Sequence, residues 1–380
     1  MMQPFINSLT GLSIRYDFPS VIGPLFYFAY IFFFLTYLII TRRSTSSVVL
    51  VVFIIMYTLF MTVTGRVDES NISYIFKLLL PLILYLFVKN IRLDNVEYKR
   101  IINYLIYSVL IYALSAIISF LLGYHIQPGK GYYGLIYAGN DMIVLFILTL
   151  FQLSIMRRET LISEVVILIG YLLTLSKSIF LVFIAYLIKF VYISKTKPVF
   201  FIRSGVSVLL ISLSFPFLIS YFKNKAETYM LEFNSLSTFL SLDFSQISSF
   251  LTFGRSNYLE QTFIGYQRDG LDYIFGLGLN NAANLLKGKV GIEMDFFDAL
   301  NVYGILGVLY LVSFYYLPMF RFKFKFTSNL IFSMLLLYSF FGGHFYNNPL
   351  VGVYYGILLG LLEHNNKNAV RENFEICVNN

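Results

Sequence analysis

The apolar segments of this chain follow one another almost without a break, and a single long polar segment, residues 222–296, interrupts them. The hydrocarbon core of a bilayer accepts only segments whose backbone groups are satisfied internally, whereas a stretch this polar belongs in water. The pattern predicts an all-α polytopic membrane protein with one large water-exposed loop. Functional residues are therefore sought first in and around that loop.

The composition fits this class. Hydrophobic residues make up 58% of the chain, charged residues make up 13%, and the mean hydropathy is +0.74. These values lie outside the usual range of soluble domains. We expect residues 1–380 to form one membrane domain. Cys377 is the single cysteine, which excludes an intrachain disulfide and a cysteine-based metal site. The N-terminus lacks the pattern of a signal peptide, so we expect the first span to stay in the mature protein.

Apolar runs bounded by charges predict about eleven transmembrane helices. They are 21–40, 48–63, 72–88, 101–123, 141–156, 161–175, 178–193, 204–221, 297–320, 328–343 and 350–362. The large loop then joins helices 8 and 9. Only Ser176 and Lys177 separate the sixth and seventh runs, which predicts a tight helical hairpin in preference to one long kinked helix.

The distribution of Lys and Arg predicts the orientation, because the richer side of a membrane protein is cytoplasmic. One side receives Arg42, Arg43, Lys89, Arg92, Lys99, Arg100, Arg157, Arg158, Lys195, Lys197, Arg203, Arg321, Lys323, Lys325, Lys367 and Arg371. The short segments of the other side hold Arg15, Arg66, Lys130 and Lys177. This places the N-terminus and residues 222–296 in the periplasm and the tail, 363–380, in the cytoplasm. The net charge of +8 is explained by this bias and by anionic lipid, with no need for nucleic acid.

Charges of both signs share the non-cytoplasmic face. They are Lys177, Arg255, Arg268, Glu293, Asp295, Asp298 and His344, with Lys130 and Asp141 nearby. Cations beside carboxylates and an imidazole suit a reaction with a phosphate leaving group and a hydroxyl acceptor that needs a base.

The cations of this face each have an ordinary explanation as well as a functional one. Lys177 stands at the outer mouth of the hairpin, and Lys77 lies inside the third span, one turn before Pro81. Both could be snorkelling lysines, although an outer cation runs against the topological bias. Arg255 begins an amphipathic helix predicted from TFGRSNYLEQTFIGY, where its guanidinium could bind phosphate or simply face water.

The acidic residues lie at the entrance to the ninth span. Asp295 and Asp298 share a helix face and Glu293 precedes the helix. One acid is accounted for as an N-terminal cap, but three within six residues favour a site. His344, at the outer end of the tenth span, is either an interfacial residue or a general base.

Four segments together resemble the O-antigen polymerases (Wzy type) of the O-antigen polymerase and ligase family. They are the Ser-Lys of LTLSKSIFLVFIAYL, where that family usually has Ser-Arg; the Gly-Arg of FGRSNY; the GLGLN turn; and an acidic residue leading into LNVYGILGVLYL. Glu-Met-Asp stands where ligases typically carry a histidine-asparagine pair, which favours a polymerase.

The resemblance implies a GT-C-like glycosyltransferase bundle of the bacterial inner membrane that acts in lipopolysaccharide biosynthesis. Such an enzyme transfers a growing glycan from undecaprenyl pyrophosphate onto a lipid-linked repeat unit, with inversion and without metal or other cofactor. A chain-length regulator is a possible partner. Arg255, Lys177 and Lys77 would bind the pyrophosphate, Asp295 or Glu293 would orient or deprotonate the acceptor, and His344 would assist.

Two alternatives stay open. An O-antigen ligase would differ only in its acceptor. A lipid-linked oligosaccharide flippase would be similar in size and hydropathy, but it should distribute charges through its spans and have repeated halves. Here the charges concentrate at one face, which favours an enzyme.

Overall fold

The fold is known from a computed structural model, in which every regular element described is a helix. The described residues are 22–40, 45–67, 72–91, 93–124, 132, 134, 139–155, 161–176, 178–194, 205–206, 208–209, 212, 255–263, 268–286, 291–322, 324–343, 345–346 and 348–378. The predicted span 204–221 and the first half of the long loop fall almost wholly outside them.

The helices before the long loop are α1 (Ile22–Ile40), α2 (Thr45–Val63), α3 (Ile72–Asn90), α4 (Asn95–Leu121), α5 (Gly139–Ile155), α6 (Leu161–Leu173) and α7 (Ile179–Ser194). The loop contributes α8 (Arg255–Phe263), α9 (Gly270–Phe275) and α10 (Gly278–Leu285). After it come α11 (Asp295–Leu311) with a π-helical turn (Val312–Tyr316), α12 (Pro318–Arg321), α13 (Phe326–Gly342) and α14 (Pro349–Val378). Each predicted apolar segment other than 204–221 coincides with a helix.

Two boundaries differ from the sequence prediction for identifiable reasons. Helix α4 begins before residue 101, because Asp94 caps it and Glu97 completes a capping box with the Asp94 backbone. Helix α14 does not end near residue 362. It continues to Val378, so the predicted tail is helical up to that residue; this polar sequence contains no Gly or Pro to stop a helix.

Among the residues that the structure describes, two helical segments are long and apolar enough to cross a membrane by length and composition, Asn95–Leu121 and Asp295–Tyr316. The prediction of eleven spans remains a prediction.

Between α6 and α7 the chain reverses at Leu175, whose φ is 49°. The hydroxyl of Tyr186 then donates to Oε1 of Glu164 across the two helices at 2.6 Å. The segment is thus two helices rather than one.

The core of the bundle is built around close helix contacts. Helix α14 packs along α3, where a Cβ added to Gly352 or Gly356 would lie within 2.5 Å of Pro81. Helix α11 is kinked at Gly304, which has φ 66° and faces the Ile274 carbonyl of α9. The glycines of α14 and α11 therefore allow these helices to pack closely against their neighbours.

Contacts between loops sort the helix ends into two groups. At one end, here named the loop end, residues 64–67 meet 268–280 and residues 291–294 meet 341–346. At the opposite end Lys89 lies 3.5 Å from Glu363. Segments that the charge distribution assigns to one side therefore lie together in the fold.

Candidate functional site

The long loop is docked onto the loop end of the bundle. Arg66 Nη1 lies 2.8 Å from Asp272 Oδ1 and also donates to the carbonyl of Gly276. Gly278 lies directly against the Arg66 backbone, since an added Cβ would come within 2.2 Å of the Arg66 carbonyl oxygen. The predicted Gly-x-Gly turn is therefore present, and it brings α9 and α10 against the connection between α2 and α3.

A second loop contact involves Arg268. Its guanidinium donates to Oδ1 of Asn301 at 2.7 Å and lies 4.3 Å from the centre of the Phe263 ring. The N–H of Leu277 donates to the Asn301 carbonyl at 2.9 Å. These contacts fix residues of the loop to helix α11 about one turn after Asp298.

Asp298 holds the residues that lead into α11. This buried side chain accepts hydrogen bonds from the backbone N–H of Ile292 at 2.5 Å and of Met294 at 3.1 Å. A Cβ on Gly291 would lie 2.9 Å from the same carboxylate. The segment 291–294 therefore wraps around Asp298.

Glu293 lies in the middle of that wrapped segment and has φ 65°. Positive φ is uncommon for residues with a side chain and is retained where surrounding contacts impose it. The contacts here are the two Asp298 hydrogen bonds on either side of Glu293. They leave its side chain 44% exposed while its neighbours Ile292 and Met294 are buried.

The Glu293 carboxylate pairs with Arg255, as Oε2 lies 2.7 Å from Arg255 Nη2. Arg255 is the first residue of α8, so the predicted amphipathic helix and its first-turn arginine are both confirmed. The second terminal nitrogen, Nη1, donates to the Phe341 carbonyl at 3.1 Å. The Arg255 side chain is only 13% exposed. Two of the predicted site residues therefore meet directly.

Asp295 lies close by but is only 1% exposed. Its Oδ2 accepts hydrogen bonds from the Ser339 hydroxyl at 2.6 Å and from the Phe345 N–H at 2.9 Å. This carboxylate therefore ties α11 to α13 and to the segment after α13. Its burial argues against direct contact with a substrate in this conformation.

The end of α13 rests on Glu293. Gly343 has φ 67°, and a Cβ there would lie 2.4 Å from the Glu293 carbonyl oxygen. Together with the Arg255 contact to Phe341, this brings the ends of α8 and α13 and the entrance of α11 to one point. Residues Arg255, Glu293, Asp295 and Asp298 are called the acidic entrance below.

Lys77 lies on α3, with its Nζ 4.6 Å from the centre of the Tyr74 ring. It interacts electrostatically with Asp141.

Two predicted site residues, Lys177 and His344, lie outside the described residues. Other positions were missed by sequence reasoning. Ser339 and Gly343 carry no motif that would single them out in a serine- and glycine-containing apolar span. Within the part of the chain that the structure describes, no three His, Cys, Asp or Glu side chains form a group that could hold a metal ion.

The acidic entrance can perform two chemical tasks. The half-exposed carboxylate of Glu293 can accept a proton from a hydroxyl. The fixed guanidinium of Arg255 beside it can bind an anion. Comparisons of the chain with protein-family models, with curated sequences and with solved structures found no significant match.

Proposed function

We propose that this chain is a membrane-embedded glycosyltransferase, an O-antigen or surface-polysaccharide polymerase. It would transfer a growing glycan from a polyprenyl pyrophosphate carrier onto a lipid-linked repeat unit. The observation that carries the proposal is the Arg255–Glu293 pair, 2.7 Å apart at the acidic entrance. It supplies an anion-binding group and a candidate base next to each other, as a transfer from pyrophosphate to a hydroxyl requires.

A membrane location is supported by the outer surface of the helices. Large apolar side chains are exposed along α1, α2 and α4, including Phe32, Phe53, Ile111 and Ile118. In water, apolar faces of this extent would promote aggregation, whereas in a bilayer they contact lipid. This surface supports a membrane location. We propose that the membrane is the bacterial inner membrane and that the loop end faces the periplasm, as the distribution of Lys and Arg predicts.

Within this proposal, Arg255 binds the pyrophosphate of the donor, assisted by Lys77 and Lys177. Guanidinium suits this role because its planar donors match phosphate oxygens. Glu293 is the base in preference to Asp295, since Glu293 is half-exposed and Asp295 is committed to Ser339 and Phe345. His344 remains a candidate assistant.

The proposed transfer is a single displacement. The acceptor hydroxyl oxygen forms a bond to the anomeric carbon of the donor sugar. The bond from that carbon to the pyrophosphate oxygen breaks, and its electron pair leaves with the pyrophosphate. The hydroxyl proton passes to the Glu293 carboxylate. Attack opposite the leaving group inverts the anomeric configuration.

The test is the banding pattern of surface glycan on a gel from cells that lack this chain. These cells are complemented with wild type, Arg255→Ala, Glu293→Gln or the control Glu260→Gln, an exposed acid on α8. We expect the deletion to leave single repeat units, and wild type and Glu260→Gln to restore the ladder. Arg255→Ala and Glu293→Gln should not restore it at equal membrane levels.

Other patterns would point elsewhere. Loss of the single unit in the deletion strain would favour a ligase or a flippase over a polymerase. A full ladder with both site variants would refute the assignment of the acidic entrance as the active site.

A further inference from the structure

We infer that Glu293 and the donor pyrophosphate are alternative partners of Arg255, so that donor binding releases the base. The inference rests on the proposed function and adds an order of events to it. In the structure the guanidinium of Arg255 is occupied by the Glu293 carboxylate. An arriving phosphate oxygen would compete for the same nitrogen, Nη2.

The two members of the pair are held very differently. The Arg255 side chain is 13% exposed, and its Nη1 is anchored on the Phe341 carbonyl. The Glu293 side chain is 44% exposed. The arginine is therefore the fixed member and the carboxylate the one that can move.

The Glu293 backbone limits that movement to the side chain. Asp298 holds the backbone N–H groups of both neighbours of Glu293, Ile292 and Met294, and Gly343 lies against the Glu293 carbonyl oxygen. The exchange therefore requires side-chain rotation without rearrangement of the segment 291–294. The rotated carboxylate would remain at the acidic entrance, because the backbone that carries it does not move.

The chemistry of the two anions favours the exchange. A pyrophosphate carries more charge and more acceptor oxygens than a carboxylate, so it makes stronger charge-assisted hydrogen bonds with a guanidinium. A carboxylate paired with a cation also takes up a proton less readily than one without that partner. Before the donor binds, the ion pair with Arg255 therefore restrains Glu293 as a base, and the exchange removes that restraint.

The exchange makes an unusual prediction, since removing the charge of Glu293 should strengthen donor binding while abolishing transfer. The test is calorimetric titration of inorganic pyrophosphate into the full-length protein in detergent. We expect Glu293→Gln to bind about two- to fivefold more tightly than wild type, the range expected when a partly exposed ion pair no longer competes. Glu293→Ala should shift in the same direction, Glu260→Gln should match wild type, and Arg255→Ala should lose the binding.

Equal or weaker binding by both Glu293 variants would overturn the exchange, as would undiminished binding by Arg255→Ala or no binding by any of these proteins. The glycan ladder tests the proposed function separately. Tighter pyrophosphate binding by Glu293→Gln, together with a full ladder, would leave the exchange intact and refute the role of Glu293 as base.

Discussion

Asp298, in the first turn of α11, accepts a hydrogen bond at 2.5 Å from the backbone N–H of Ile292, which lies six residues earlier and before the helix begins. The contact folds the approach to α11 back onto its own first turn. It makes a buried carboxylate the support on which Glu293 is presented. Asp298 is thus a positioning residue, and it acts through Glu293.

Asp298→Asn tests this role with little change of shape. The amide provides one acceptor oxygen in place of two, so the N–H of either Ile292 or Met294 loses its partner. A buried donor without a partner costs about 1–3 kcal/mol. We expect a lower unfolding temperature in detergent and a ladder with fewer long chains, and Glu260→Gln should change neither. A normal ladder from Asp298→Asn would contradict the positioning role.

Gly343→Ala should disturb the same point from the other side. The new Cβ would combine a positive φ with a distance of 2.4 Å to the Glu293 carbonyl oxygen. Gly123→Ala is a matched control, because Gly123 has φ 62° and open space around its Cβ position. The control should lose only about 1 kcal/mol from the unfavourable φ. We expect Gly343→Ala to lower both thermal stability and ladder formation well beyond the control; equal effects would mean that the contact with Glu293 is unimportant.

The acidic entrance was partly predictable from the sequence. Arg255 and Glu293 were found because an arginine opening an amphipathic helix and an acid preceding an apolar one are local patterns. The differences in exposure and hydrogen bonding between Glu293 and Asp295 were not predictable. They depend on hydrogen bonds from Ser339 and Phe345, which are distant in the chain and carry no motif.

The fold, too, was predictable where local sequence determines it and not where distant contacts do. Apolar runs located the helices because hydrophobicity is a local property of the sequence. The ends of α4 and α14 differed from the prediction because helix limits depend on caps and on polar residues that continue a helix. The kink at Gly304 depends on where α9 packs, which no window of sequence contains.

The ion pair of Arg66 with Asp272 should hold the long loop against the bundle. Both side chains are 11% exposed, and Arg66 also donates to the Gly276 carbonyl. Truncation in Arg66→Ala leaves the Asp272 carboxylate and this carbonyl with one donor fewer, at a cost of about 1–3 kcal/mol. We expect faster cleavage of the loop in limited proteolysis of the detergent-purified protein. Arg100→Ala, at an exposed position in the first turns of α4, is the control, and equal cleavage rates would show that the pair does not restrain the loop.

The exposed apolar face of α4 distinguishes a lipid environment from water. Ile111 lies near the middle of this helix and Val96 near its start, and both side chains are about half exposed, at 48% and 55%. In a bilayer, an arginine at the middle of a span costs about 2.5–3.5 kcal/mol, while one at the end can reach the interface. In water, both positions would accept arginine at little cost, because surface substitutions usually change stability by less than about 0.5 kcal/mol. We therefore expect Ile111→Arg to reduce the amount of protein in isolated membranes, and Val96→Arg to leave it close to wild type. Equal membrane levels for the two variants would mean that this face of α4 does not contact lipid.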